Sequence, residues 1–164
     1  MTGLNQIRDA VVAALRSAGM NALAAHAGKT AEITGPVLTV DVGEVAQQQA
    51  ALCSYLGEQT DANSGEPREV YGRRLDVTIA LEARAPAAAD CESACESAAE
   101  VLLGDGLPSG LRMGVQSWEA VTWDKTNRLF LRRGSVKCRA LFLALADAES
   151  ADLLEFTLKG VLTS

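Results

Sequence analysis

From Tyr71 to Pro86 the chain reads YGRRLDVTIALEARAP. Its odd positions Leu75, Val77, Ile79 and Leu81 are apolar, while Arg74, Asp76, Thr78 and Glu82 dominate the even ones. A period of two marks a β-strand, whose successive side chains leave opposite faces. One face is therefore buried and the other wet, the pattern of an antiparallel sheet covered on one side only. The remaining sequence must supply the cover.

Two segments have the period for it. In APAAADCESACESAAEVLLGDG the apolar line runs through Cys91, Ala94, Cys95, Ala98, Val101 and Leu102, with Pro86 suited to a first helical turn and Gly104 to the stop. Small residues on that line let a helix lie close to a sheet. In TGLNQIRDAVVAALRSAG, Leu4, Ile7, Val11 and Leu15 recur at helical spacing between a capping Thr2 and a stop at Gly19.

Further strands complete the sheet. GPVLTVDVG, bounded by Gly35 and Gly43, is one, and NALAAHAG holds a shorter one. Two extended segments flank the polar stretch TDANSGEP, so residues 61–67 are expected to form a mobile loop at the tip of a long hairpin. Gln47, Gln48 and Gln49 suit a helix as well as a strand, and periodicity does not choose. LRMGVQSWEAVTW and RLFLRRGSVKCRALFLALA read as two strands joined by the turn DKTN. In the second of these Val136, Cys138, Ala140, Phe142 and Ala144 share one parity, yet Leu141 and Leu143 make the opposite face apolar too. That points to burial on both sides, by another element or another subunit. The expectation is one domain, residues 1–164, with an α+β fold. A mostly antiparallel β-sheet packs against two α-helices on one face, with a long projecting hairpin and a C-terminal tail over 150–164 in which Leu154, Phe156 and Leu158 alternate.

Composition narrows the function. A chain of 164 residues, 48% hydrophobic, can bury a core unaided. Its 15 basic and 21 acidic residues give a formal net charge of -6, which opposes general nucleic-acid binding because phosphates are neutralised by a basic field. Arg8 and Asp9 interrupt the first turns, where a signal peptide needs an unbroken apolar run. The uncharged run from Ala140 to Ala146 is far below the roughly 20 residues that cross a bilayer. A cytosolic protein without a membrane partner is expected.

Signals for catalysis are sparse. Cys53, Cys91, Cys95 and Cys138 have no zinc spacing, and only His26 could join them. Cys91 and Cys95 share a helix face, but a disulfide within one helical turn has poor geometry. Free thiols behave as small buried apolar groups. The glycines form no P-loop, dinucleotide fingerprint or Gly-x-Ser-x-Gly elbow. His26, in AAHAG beside a turn, has no local partner for a Cys-His pair. No catalytic, cofactor or metal site is expected.

Charge is more informative. Lys125, Arg128, Arg132, Arg133, Lys137 and Arg139 follow one another without an acidic residue, and Glu92, Glu96 and Glu100 stack on one face of the second helix. Each group has a bland reading: a solvated helix face, and cations that protect a strand edge from pairing. The functional reading joins them, the basic hairpin of one copy lying against the glutamate ladder or Asp76 of the next. DNA contact would want aromatic or phosphate-binding context, of which only Phe130 and Trp123 are present.

The phrases YGRR, LPSGLR, FLRRGS and LKGVL, spread over roughly residues 35 to 162, resemble the small tail terminator, or tail completion, proteins of long-tailed bacteriophages and prophages. The resemblance implies structural work. Such proteins form a ring, usually a hexamer, that caps the head-proximal end of the tail tube, ends tube polymerisation and presents the surface for head joining. The partners implied are further copies of the chain, the tail tube protein and the head-tail connector or stopper protein, with DNA only as cargo passing through the ring lumen. The location implied is the host cytoplasm during assembly and the virion tail or neck afterwards. No catalytic residue or cofactor is carried over. A head-to-tail ring uses two different surfaces of each protomer. Lys125, Arg128, Arg132, Arg133 and Lys137 would supply one, and Glu92, Glu96 and Glu100 the other. The competing readings are another neck or tail-tube component, a small cytosolic ligand-binding or thiol enzyme domain using Cys53 or His26, and a nucleic-acid-binding module.

Overall fold

The computed structural model describes residues 3–25, 33–49, 54–62, 64–146 and 156–160. The expected capping residue Thr2, His26, Cys53 and most of the tail from residue 150 lie outside these. The elements follow in the order α1 (Gly3–Ser17), β1 (Ala22–Ala24), β2 (Val37–Gln49), β3 (Tyr55–Thr60), β4 (Pro67–Ala85), α2 (Ala88–Leu103), β5 (Leu111–Trp118), β6 (Thr122–Asp124), β7 (Leu129–Ala146) and β8 (Thr157–Leu158). The fold is α+β, with eight strands in one sheet among the described residues; of these only β1 and β2 run parallel.

Two long central strands organise the sheet. β4 and β7 pair from Glu69 opposite Ala146 to Ala85 opposite Phe130. On the far edge of β4 lie β2 and then β3, end to end and both antiparallel to it. β2 and β3 thus form one interrupted arm of the long hairpin, and Gln47, Gln48 and Gln49 are strand. On the far edge of β7, β6, β5 and β8 pair with successive stretches in the same manner. The segment LRMGVQSWEAVTW is therefore two strands rather than one, broken between Trp118 and Thr122, where Glu119 N–H still donates to Arg133 O at 2.8 Å.

Both helices cover one face. From β4 come Val77, Ile79, Leu81, Ala83 and Ala85, and from β7 Val136, Cys138, Ala140 and Phe142, all buried. Against them pack Ile7, Val11 and Leu15 of α1 and Cys91, Cys95, Ala98 and Leu102 of α2. The alternation in YGRRLDVTIALEARAP is thus answered by two helices, the second lined with side chains small enough to bring its axis near the sheet.

The helix ends follow local chemistry. At the end of α1, Gly19 adopts φ +82°, its N–H donates to Arg16 O at 2.9 Å, and Met20 N–H donates to Leu15 O at 3.1 Å. These two bonds satisfy carbonyls that the last turn leaves open, in a left-handed conformation that suits glycine. Pro86 does not sit in the first turn of α2. It precedes the N-cap residue Ala87, which has no side-chain oxygen to offer, and Asp90 in the first turn supplies the negative charge instead.

Two irregularities break the pairing at one level of the sheet. Between Val42 and Val45 of β2, and again between Met113 and Gln116 of β5, the register shifts by one residue. Gly43 and Glu44 then oppose Thr78, and Gly114 and Val115 oppose Lys137. Thr78 and Lys137 are themselves paired. A β-bulge therefore stands on each side of a single central pair.

Candidate assembly surface

The helix-free face of the sheet carries the polar half of each strand. Its residues form rows across the strands. Asp41, Ala80, Ser135 and Ser117 are successive partners in one row, small side chains that leave a shallow trough of about 430 Å³. Beside it run Thr39, Glu82 and Arg133, and beyond the bulges Ala46, Asp76, Arg139 and Arg112.

Ion pairs stitch these rows. Arg133 Nε lies 3.1 Å from Glu82 Oε2 and Arg139 Nε 2.9 Å from Asp76 Oδ1, while Arg84 Nη2 reaches Glu82 Oε1 at 2.5 Å. Cross-strand pairs of opposite charge each stabilise a sheet by about 0.2–1 kcal/mol. Toward the far end the same face turns apolar: Leu141 and Leu143 are half-buried and Leu145 is exposed.

The basic run divides in space. Lys125 and Arg128 are exposed in the β6–β7 turn, which is fixed by Asp124 Oδ1 accepting from Thr126 N–H at 2.9 Å and Asn127 N–H at 3.2 Å. The Asn127 amide, 2.6 Å from Asp124 Oδ2, is the chief reason that the Asp124 carboxyl titrates below its usual range. Arg132 and Arg133 are neighbours in sequence and so point to opposite faces. Arg132 is on the helix side, its Nε donating to Glu119 O at 2.7 Å, and Arg133 is on the uncovered side with Glu82. Lys137 and Arg139 share the face of Arg133. Glu92, Glu96 and Glu100 are exposed on α2, in the layer behind the opposite face of the sheet. Arg133, Lys137 and Arg139 thus lie on the face opposite α2 and its glutamates, while Arg132 lies on the same side as α2. Arg112 was not singled out from the sequence. Its place between Leu111 and Met113 in an alternating strand was the available signal.

Three thiols lie in the core. Burial pushes Cys91 up, and Cys95 and Cys138 up to about 12. Cys91 Sγ donates to Ala83 O at 3.4 Å. All three are held as neutral thiols, the opposite of an activated nucleophile. Among the described residues no group of three or more His, Cys, Asp or Glu is placed to hold a metal ion, and no helix is long and apolar enough to cross a membrane.

The open edges complete the surface. Among the described residues, β2 beyond Val40 has no partner on the side away from β4, and β5 has none on the side away from β7. Exposed apolar side chains accompany each: Leu23, Tyr55 and Leu56 on one side, Val115 and Trp123 on the other.

No protein-family model matches the chain. No curated protein matches it either. Among solved structures, a chain from the virion of a native gene transfer agent particle is similar at 16% identity and a TM-score of 0.40, over 84% of this chain and 95% of that one. The likeness is loose, so this chain's own residues must carry any functional conclusion.

Proposed function

We propose that the chain is a structural assembly protein that closes head to tail into a ring and caps the head-proximal end of a phage tail tube. The observation that carries this is a sheet that, among the described residues, is covered by helices on one face only and lacks a partner along β2 beyond Val40 and along the outer side of β5. A contact between two unlike surfaces of identical copies either closes into a ring or runs on as a filament. Apolar side chains left in water at both edges are the material of such a contact. The order of the phrases YGRR, LPSGLR, FLRRGS and LKGVL supports the tail terminator assignment within that class. The tube protein on one ring face, the connector on the other and DNA passing through the lumen are the partners of this reading.

The proposed subunit contact sets Lys125, Arg128 and Arg133 against Glu92, Glu96 and Glu100 of the next copy. Their separation onto different surfaces is what a heterologous contact requires. Light scattering with chromatography, over a range of concentration and salt, tests the ring. A species of about six subunits, seen as a ring in negative stain, is expected. A strict monomer that also fails to cap purified tail tubes overturns the reading. Charge reversal at Lys125 and Arg128 tests the pairing, and unchanged assembly at physiological salt would remove it.

A further inference from the structure

The two bulges do more than interrupt the ladder. They flank the Thr78–Lys137 pair and leave over it a cleft of about 510 Å³ on the helix-free face, lined among others by Glu44, Asp76, Thr78, Arg112, Lys137 and Arg139. Gly114 forms part of the wall with no side chain, so backbone lies directly against the space.

Three cations converge there for a reason visible in the register. Arg112 and Arg139 are direct partners across β5 and β7, and Lys137 stands two residues from Arg139 on the same face. Like charges directly opposed in a sheet destabilise it. Only Arg139 has a carboxylate, Asp76 at 2.9 Å, while Glu82 is engaged by Arg84 and Arg133. Arg112 and Lys137 make no side-chain hydrogen bond or ion pair among the described residues. Glu44 lies on β2, two strands from Lys137 and three from Arg112, about 10 and about 14 Å away at the usual strand spacing. The cleft is therefore acidic at one wall and cationic at the other.

We propose that this cationic wall is a binding site for a phosphate group. Arg112 offers a planar fork of donors, Lys137 a compact charge, and Arg139 is held in place by Asp76. Thr78, the partner of Lys137 on β4, lines the same cleft. The shared chemistry is an anionic phosphate group with several acceptor oxygens, either a free phosphate compound or the phosphodiester of a nucleic-acid strand. The site is a property of one protomer and stands whether or not the chain forms a ring.

Calorimetric titration of the full chain at low salt, with inorganic pyrophosphate in one arm and a short single-stranded oligonucleotide in the other, tests it. Binding of at least one probe is expected. It should weaken about tenfold in Arg112→Gln and in Lys137→Gln, the loss of one charge-assisted contact. It should also weaken as salt shortens the screening length, and it should survive Arg133→Gln, which lies outside the cleft. Pyrophosphate binding alone identifies a free phosphate compound as the ligand, and oligonucleotide binding alone identifies the phosphodiester. Binding of neither probe overturns the proposal, as does binding that persists undiminished in both cleft variants. The substituted side chains are exposed, and circular dichroism verifies that each variant is folded.

Discussion

Thr78 and Lys137 face each other across the two central strands, and each has the glycine of a bulge set against its backbone carbonyl. A Cβ on Gly43 would stand 3.2 Å from Thr78 O, and one on Gly114 would stand 3.1 Å from Lys137 O. Neither carbonyl can retreat without disturbing the β4–β7 ladder. Gly43→Ala and Gly114→Ala should each destabilise the protein by about 1 kcal/mol, the lower end of overpacking costs. Urea unfolding of the two variants checks this; a stabilised variant would mean that the carbonyl yields.

The core beneath that pair makes a larger claim. Ile79 is fully buried in the core between the sheet and its helices, where a cavity collapses only at the cost of shifting packed neighbours. Ile79→Ala should cost about 2–5 kcal/mol. A loss below about 1 kcal/mol in chemical denaturation would contradict such packing.

The ion pairs of the uncovered face should matter far less. Arg139 is 60% exposed and Asp76 34%, so water screens their attraction. Asp76→Ala should change folding stability by no more than about 1 kcal/mol. If thermal unfolding shows a much larger loss, Asp76 has a role beyond this pair.

The buried thiols give a pH signature. Cys95 and Cys138 titrate near 12 in the fold against 9.0 ordinarily, so the unfolded chain releases these protons first. Between these values the native state binds more protons than the unfolded one, and stability falls as pH rises. Their contribution is complete below about pH 9 and is lost through about pH 12. Unfolding free energy measured across that window in a Cys53→Ser background should decline, and alkylation of the native protein at neutral pH should be slow. Rapid native alkylation would show that the core opens.

Much of the architecture was legible because strand and helix periods were clean. Val77, Ile79 and Leu81 announced a covered face, and Cys91, Cys95 and Ala98 announced the cover. Gln47 to Gln49 were not decidable, since exposed glutamines have no face to declare. The bulges were harder. Gly43 was read as a boundary and Gly114 as an unremarked strand residue, although an isolated glycine in a strand often marks a bulge. The spatial division of the basic run was not legible because a run along the sequence ignores the pleat: Arg132 and Arg133 point to opposite faces, while Arg112, distant in sequence, joins Arg139.

One glutamine near the start of the chain has a consequence for how the molecule is made. Gln6 on α1 accepts from Leu158 N–H at 2.8 Å and donates to Phe156 O at 3.4 Å, and Lys159 N–H then donates to Leu141 O at 2.9 Å. Helix α1 is thus latched by a strand about 150 residues further along the chain. Until the latch closes, Ile7, Val11 and Leu15 lack part of their final surroundings, and closing it spans almost the whole sequence, the kind of long-range contact that slows folding. A subunit truncated before Leu158 would carry an unlatched first helix.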